Sequence, residues 1–285
     1  MHELVHIISK DSVIWLQITF VSLLAVAAWL RPLERARQLR VSTFALIAIG
    51  AVVLSHWSRS WVSPRGYSIL RDWLPVVLLL VPYWQIGQFF TRADPRMESR
   101  LAAFDRAFFR ALGIQPSKVA IGQAMGAYLE LAYVLVYPLI PLGLVALYSI
   151  GERQFITYYW IVVLTATYAS FAITPFVPAL PPRLLSGYEA FRVPASKVEA
   201  LNHVILRRAS IQAITFPSGH VASAMAAALV LLRLEPWVGL IFLAVALSIA
   251  VATVVGGYHY AADVLLASLV AVSFFVGTLR LVRLH

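Results

Sequence analysis

The sequence predicts an all-α membrane protein, a polytopic bundle of about eight transmembrane helices, and two observations support this fold class. Of the 285 residues, 61% are hydrophobic and only 13% are charged, and the mean hydropathy is +0.81. Soluble domains do not reach these values. In addition, apolar segments of about 17 to 25 residues, the length that crosses a bilayer as a helix, recur along the whole chain.

Eight segments meet this length criterion, and each is expected to form a span. In chain order they are Val13–Leu30, Val41–Trp57, Trp73–Phe90, Val119–Tyr148, Phe155–Phe176, Phe216–Leu232, Trp237–Val255 and Ala262–Leu281. The fourth segment is overlong and contains Pro138 and Pro141, so a kink or a tilt is expected there. The N-terminus lacks a small-residue cleavage site, so the first helix is expected to remain in the protein.

A polar segment, Thr91–Lys118, separates the third and fourth spans. Its apolar residues recur at helical spacing among arginines, and they are Leu101, Phe104, Phe108, Phe109 and Leu112. This pattern predicts an amphipathic helix at the membrane interface. An ordinary linker helix is the alternative, and neither carries chemistry.

The charge and cysteine content narrow the possible partners. The formal net charge is +10, and 20 of the 23 basic residues are arginines. A basic membrane protein of this kind is suited to anionic lipid and does not imply a nucleic-acid partner. The absence of cysteine excludes disulfides, thiolate chemistry and cysteine metal sites.

The stretch Thr215–His220 carries the first chemical signal, because it joins Pro217, Ser218, Gly219 and His220 to an apolar run. Proline favours the first helical turn, so this stretch is predicted to begin a transmembrane helix with Pro217 inside its first turn. Free N–H groups and the positive end of the helix dipole attract anions there, and a glycine lets an oxyanion approach the backbone. Phosphate is the expected anion.

The second signal lies 39 residues after His220, in the stretch Gly256–Asp263 before the last apolar run. His259 and Asp263 are four residues apart and therefore share a helical face. A neutral imidazole at His259 could attack phosphorus while Asp263 fixes its tautomer, and His220 could protonate the leaving oxygen. Ser218, Gly219 and an arginine of the preceding loop would bind the phosphoryl oxygens.

These two stretches resemble the second and third motifs of the type 2 phosphatidic acid phosphatase superfamily. The second motif is matched in full by Pro217–His220, and the His-x-x-x-Asp ending of the third by His259 and Asp263. The resemblance implies a six-helix core and a phosphohistidine mechanism in which His259 is the nucleophile, His220 the proton donor and Asp263 the orienting group. It implies no metal or other cofactor, and a phospholipid or polyprenyl phosphate as substrate.

Two departures from the superfamily pattern matter. The third motif usually begins with Ser-Arg, where this chain has Ala252-Thr253, and the first motif is absent, with Pro181-Pro182-Arg183 as its nearest counterpart. We therefore expect Arg183 to bind phosphate in place of the missing arginine, with Arg207 and Arg208 as further candidates; contact with lipid head groups is the alternative for all three.

The Pro-Pro element is similar to that of the inositol phosphorylceramide synthase-like branch. Weaker similarity to this branch lies in Arg71–Pro75 and Glu130–Pro138, so residues 71–285 are expected to form the phosphatase-like or phosphotransferase-like membrane domain and residues 1–70 additional N-terminal helices. Such a branch would transfer a phospho-head group to a lipid alcohol rather than to water.

Other interpretations of these residues stay open. His220, His259 and Asp263 could form a metal site of two histidines and one carboxylate. The chain could also be a non-catalytic lipid transporter or scaffold that keeps a phosphate-binding site at the start of these helices. Glu130, within the fourth span, could be a functional carboxylate or a hydrogen-bonded residue between helices.

The side of the membrane that the site faces is predicted in opposite ways by two arguments. With eight spans, 15 of the 23 basic residues lie on the side of the site, which favours the cytoplasm by the positive-inside rule. The resemblance implies the extracytoplasmic leaflet. If the five basic residues of the loop before Pro217 bind substrate, the remaining count of 10 against 8 decides nothing, so the orientation stays open and the expectation follows the resemblance. Reporter fusions at His285 distinguish the two orientations.

Overall fold

The computed structural model describes residues 11–211 and 213–283, which form helices and the segments that connect them, with no strand among them. The α-helices are α1 (Ser12–Leu30), α2 (Arg35–Trp57), α3 (Pro64–Leu78), α4 (Leu80–Gly87), α5 (Pro95–Ala111), α6 (Gln123–Val134), α7 (Val136–Ser149), α8 (Ile156–Ile173), α9 (Lys197–Ala209), α10 (Gly219–Leu234), α11 (Pro236–Val255) and α12 (Ala261–Arg283). The predicted all-α membrane bundle is thereby confirmed.

Six stretches of the described chain are long and apolar enough to cross a membrane. They are Ser12–Leu30, Arg35–Ser60, Pro64–Gly87, Arg153–Phe176, Pro236–Val255 and Ala261–Arg280. The fourth predicted span is a helix pair, α6 and α7, bent by 62° at Leu135, so it counts as a seventh span only if the pair crosses as one. The bend lies just before Pro138 because that proline leaves the carbonyl of Val134 without its helical partner.

The sixth predicted span, Phe216–Leu232, is shorter than expected. Its helix, α10, begins only at Gly219 and has 16 residues, which is about 24 Å at 1.5 Å per residue, against about 30 Å of hydrocarbon. The prediction that Pro217 lies in the first helical turn is wrong. Ser218 is the N-cap, and Pro217 precedes it after a cis peptide bond.

The centre of the bundle is built around α8 and α10. Of the membrane-length stretches, Arg153–Phe176 is the most buried, because 67% of its most apolar 18-residue segment lies inside the protein. Helix α10 buries a run of small residues, namely Ala222, Ser223, Ala224, Ala226, Ala227 and Ala228. Because small side chains let helix backbones approach closely, α10 packs against α8, α11 and α12 at once.

The polar segment before the fourth span contains α5, as the amphipathic pattern predicted. Leu101, Asp105 and Phe109 are buried on one face, while Phe104 and the arginines of the helix are exposed. The start of α5 holds the segment after α8 that contains Pro181 and Pro182, called the Pro-Pro loop below. The N–H of the N-cap Asp94 donates to the Pro178 carbonyl, and Glu98 accepts from the Leu180 N–H. Helix α5 therefore fixes the loop that precedes the candidate site.

An ion pair between the buried Asp72 and the partly exposed Arg153 joins α3 to the segment just before α8. The Asp72 carboxylate accepts from Arg153 Nε at 3.0 Å, from Arg153 Nη2 at 2.9 Å and from the Tyr148 hydroxyl at 2.8 Å. The Trp160 indole N–H donates to the Asp72 carbonyl.

Arg153 precedes α8, whereas Thr174, which contacts Phe216 beside the candidate site, follows it. Asp72 therefore lies at the opposite end of the bundle from that site and supports the fold.

We predict that Arg153→Met lowers the free energy of unfolding by about 2 kcal/mol, because the buried Asp72 carboxylate loses two charge-assisted hydrogen bonds and keeps only the longer contact with Arg71, at 3.4 Å. Thermal unfolding of the detergent-solubilised protein measures this change. Arg65→Met, at an exposed arginine of α3, the helix that carries Asp72, is the matched control and should have little effect. Equal midpoints for Arg153→Met and the wild type would contradict the role of this ion pair.

Candidate active site

The first part of the site is the start of α10, where His220 follows a tightly bonded turn. The Ser218 hydroxyl caps the helix by accepting from the Val221 N–H, and the Thr215 hydroxyl accepts from the Gly219 N–H at 2.9 Å. Gly219 packs against Phe171, whose Cε1 would lie 2.5 Å from a Cβ at this position. A larger residue at position 219 would clash with Phe171, so glycine allows α10 to pack closely against α8. His220, the next residue, lines the cavity described below.

The second part is the turn between α11 and α12, which carries His259. The Thr253 carbonyl accepts from the N–H groups of both Tyr258 and His259, at 2.8 and 3.0 Å. Gly257 adopts a φ of 64°, a left-handed conformation that glycine tolerates without strain. The turn is closed by its own backbone, which fixes the main chain at His259.

His259 and Asp263 form the hydrogen bond that their spacing predicted. His259 Nδ1 lies 3.0 Å from Asp263 Oδ2, and the same oxygen accepts from the Tyr260 N–H at 3.2 Å. When Asp263 is ionised its oxygen can only accept, so Nδ1 of His259 then carries the proton and Nε2 keeps a free lone pair. Burial, together with the positive charge of Arg183, lowers the pKa of His259, so the imidazole is neutral at neutral pH.

The two histidines face each other across a short gap. Their ring centroids are 6.2 Å apart with planes at 76°. Their relative position is fixed by a direct link between the two motifs, because the Ser218 N–H donates to the Asp263 carbonyl at 3.3 Å. Tyr133 and Tyr137 pack edge-on against the His220 ring at 6.0 and 5.9 Å. His220 Nδ1 is buried, and no hydrogen-bond partner reaches it among the described residues.

Arg183 is the arginine that the fold brings to these histidines. Its backbone N–H donates to the Gly257 carbonyl at 3.0 Å, and its guanidinium carbon lies 4.4 Å from the centre of the Tyr258 ring. Its Nη1 atom is buried and has no hydrogen-bond partner within the described part of the chain. By contrast, Thr253, at the place of the missing arginine, is fully buried and donates its hydroxyl to the Ala250 carbonyl.

The remaining predicted phosphate-binding residues lie differently. Arg207 and Arg208 are exposed in the last turn of α9, whereas the cavity is lined from the face of α9 that carries Ile205 and Ala209. Ser218 is completely buried as the helix cap. Of the predicted set, the structure therefore brings His220, His259, Asp263 and Arg183 together, with Gly219 beside them, and leaves the other two arginines on the surface.

An apolar cavity of about 430 Å³ reaches His220 from the side of the bundle. It is lined by hydrophobic residues of five helices, among them Leu79, Leu80, Val136, Ile140 and Phe171. Thr215, His220 and Ser223 supply polar groups at its inner part. Leu80, Trp84 and Tyr137 line it and are 38 to 47% exposed, so the cavity opens on the outer surface between α4 and α7.

Asp105 is a site-supporting residue that the sequence analysis missed. From α5 it accepts from the Ala261 N–H at 2.9 Å, at the first residue of α12, and from the Tyr188 hydroxyl. Asp105 thus holds the start of the helix that carries Asp263. A signal existed in the sequence, since a carboxylate placed four residues from both Leu101 and Phe109 falls within the apolar stripe of α5.

We predict a pH-dependent stability effect of Asp105→Asn. Burial raises the pKa of Asp105 from its ordinary value of 3.8 to about 6, so the folded state holds a proton that the unfolded state releases. Stability therefore falls as the pH rises from about 4 to 6. Asparagine can still accept from the Ala261 N–H without ionising, so its melting temperature should exceed that of the wild type above pH 6.

This gain should shrink as the pH is lowered towards 4, and thermal unfolding across pH 4 to 8 measures it. Glu189→Gln, at an exposed carboxylate, is the control for a general effect of removing a negative charge. A difference between Asp105→Asn and the wild type that stays constant with pH would contradict the elevated pKa.

The alternative of a metal site finds no matching geometry. Among residues 11–211 and 213–283, no group of three or more His, Cys, Asp or Glu side chains is arranged to hold a metal ion.

Comparisons with known proteins agree with this geometry. No curated protein and no solved structure matches the chain. The sequence profile of the PAP2 superfamily, however, matches residues 99–276, which is more than half of the chain and includes α10, the His259 turn and the Pro-Pro loop. The chain is a multi-pass membrane protein that belongs to the PAP2 superfamily.

Proposed function

We propose that the protein is a membrane lipid phosphatase or phosphotransferase that cleaves a phosphoester or diphosphate through a phosphohistidine on His259. The observation that carries the proposal is the pairing of two histidine rings, 6.2 Å apart, with one of them oriented by Asp263. The two rings are close enough for both to contact one phosphoryl group bound beside them. Membership of the PAP2 superfamily supports a phosphatase-type enzyme.

The proposed reaction has two transfers. In the first, His259 Nε2 bonds to phosphorus, the ester P–O bond breaks, and His220 gives its proton to the leaving oxygen. Asp263 accepts the Nδ1 hydrogen bond and stabilises the positive charge that develops on the ring. In the second, His220 takes a proton from the attacking water or alcohol, the new P–O bond forms, and the P–N bond to His259 breaks.

The apolar cavity supports a lipid as the substrate. It runs from His220 to an opening between α4 and α7, at the surface of helices that are long and apolar enough to face a bilayer. A phospholipid or polyprenyl phosphate could therefore place its chain in the cavity and its phosphate between the histidines. Helix α10 is only about 24 Å long, so its start can lie below the level of the head groups.

Two finer points belong to the same proposal. The acceptor is water for a phosphatase and a lipid alcohol for a synthase of the inositol phosphorylceramide kind, since both attack the same intermediate. The Pro181-Pro182 element beside Arg183 favours the second. We also propose that the site faces the extracytoplasmic leaflet. Supplying a labelled lipid phosphate with candidate alcohols, and measuring whether phosphate is freed or transferred, identifies the acceptor.

We predict that the two histidines respond differently to the leaving group. His259→Ala should lose turnover of every substrate, because no nucleophile remains. His220→Ala should lose about 10² to 10⁴-fold with an alkyl phosphate but far less with a nitrophenyl phosphate, whose leaving oxygen needs no proton. Asp263→Asn should keep the fold and lose about 10⁴-fold in kcat.

The matched measurement is kcat/KM of each variant on both substrates, reconstituted in the same lipid vesicles. His203→Ala, at an exposed histidine of α9, controls for histidine removal as such. A His220→Ala variant that is equally impaired on both substrates would contradict its role as the proton donor.

We predict that Arg183 supplies the positive charge for the phosphoryl oxygens. Arg183→Ala should lower kcat/KM by about 10³-fold, and Arg183→Lys should recover only part, because lysine cannot form the bidentate pair. Arg207→Ala and Arg208→Ala, which remove exposed arginines, should stay within a few-fold of the wild type. The reverse order of effects would place the phosphate nearer to the end of α9.

A further inference from the structure

Glu130 is a buried carboxylate of α6 that the proposed reaction does not use. Only 5% of the residue is exposed. Its Oε2 atom accepts from the Tyr258 hydroxyl at 2.7 Å and from the Asn202 side-chain amide of α9. Asn202 also donates to the Glu130 carbonyl at 3.0 Å. Burying a carboxylate is costly unless it is well paired, so its position calls for an explanation beyond joining two helices.

Tyr258 connects this carboxylate to the site through a three-layer stack. The ring of Tyr133 lies 3.9 Å from that of Tyr258, with an angle of 11° between their planes, and so covers one face. The guanidinium of Arg183, 4.4 Å from the ring centre, must therefore lie on the other face. A cation over the face of a tyrosine ring is attracted by the ring electrons, and burial strengthens the attraction.

The hydrogen bond to Glu130 fixes the position of the Tyr258 ring and raises the electron density of that ring. Burial and the Glu130 carboxylate raise the pKa of Tyr258, so the phenol stays protonated and donates to Oε2. A hydroxyl that donates to an anion makes its ring more electron-rich, which favours the cation on its face. Because Tyr258 precedes His259 directly, the turn that carries the proposed nucleophile also carries the platform of the cation.

Arg183 keeps unused capacity to bind an anion in this arrangement. Its Nη1 atom is buried and unpartnered among the described residues, and its charge is close enough to lower the pKa of His259. A guanidinium held by its face, with N–H groups at its edge left free, can still donate to the oxygens of a phosphoryl group.

We propose that Glu130 and Tyr258 are positioning residues that hold the guanidinium of Arg183 where it binds the phosphoryl group. The proposal rests on the proposed function and assigns Glu130 a role in the site. Glu130 acts through Tyr258, and Tyr258 acts through Arg183, so neither is itself a catalytic residue.

A double-mutant cycle tests the proposal on enzyme reconstituted in vesicles. In the wild type, Tyr258→Leu removes the platform and should lower kcat/KM by about 10²-fold, the scale of a misplaced binding group. In the Arg183→Ala background the same change should cost less than about threefold, because the group it positions is gone. Equal costs in the two backgrounds would overturn the proposal, since a structural role alone adds to the loss of Arg183.

Conservative variants keep the test valid if Tyr258→Leu does not fold. Tyr258→Phe retains the ring and loses only the bond to Glu130, and Glu130→Gln keeps an acceptor without its charge. Both should reduce kcat/KM by about tenfold and should also be non-additive with Arg183→Ala. Asn202→Ala is the control, because it removes both bonds that Glu130 accepts from Asn202 and leaves the bond from Tyr258 in place. If Asn202→Ala were as damaging as Tyr258→Phe, Glu130 would serve to join the helices.

A binding measurement separates this proposal from the proposed function. Inorganic phosphate should raise the melting temperature of the wild type by mass action, and the rise should be lost in Arg183→Ala and reduced in Tyr258→Leu. An equal rise in the wild type and Tyr258→Leu, or no rise in the wild type, would overturn the proposal. If phosphate binding depends on Tyr258 but no lipid phosphate is turned over, the proposed function fails and the positioning role stands.

Discussion

The hydrogen bond between His259 and Asp263 is the interaction on which the rest of the site depends. With Asp263 ionised, this bond determines which ring nitrogen of His259 carries the proton. Backbone N–H and carbonyl groups hold both residues in place. The Thr253 carbonyl closes the turn before His259, the Tyr260 N–H shares the Asp263 oxygen, and the Ser218 N–H reaches the Asp263 carbonyl. The last of these bonds joins the start of α10 to the start of α12, so the two motifs form one unit and His220 faces His259.

Positive charge reaches this unit from elsewhere in the chain. A threonine stands at position 253, where the superfamily pattern usually has arginine, and its hydroxyl is turned into its own helix. The Pro-Pro loop brings Arg183 instead, and α5 holds this loop through Asp94 and Glu98. In the proposed reaction the cation therefore comes from a segment held by the amphipathic helix α5, and the stack on Tyr258 determines where the guanidinium lies.

The sequence alone predicted the helical class, most of the spans and the residues that carry the superfamily match, because composition, segment length and the His259–Asp263 spacing are local properties. It placed Pro217 inside the first turn of α10, whereas Pro217 lies just before the N-cap Ser218, because proline is also compatible with the connection before an N-cap. The roles of Asp105 and Glu130 depend on partners at Ala261 and Tyr258, which are 156 and 128 residues away. Pairings at such separation follow from the packed bundle and not from any local pattern.

The central claim is the covalent intermediate on His259, and the stereochemical course of the transfer tests it most directly. A lipid thiophosphate made chiral at phosphorus with oxygen isotopes can be turned over with water or an alcohol, and the configuration of the product determined. Two in-line displacements, one onto His259 and one off it, predict overall retention of configuration at phosphorus. Inversion would show a single direct displacement and would contradict the phosphohistidine account.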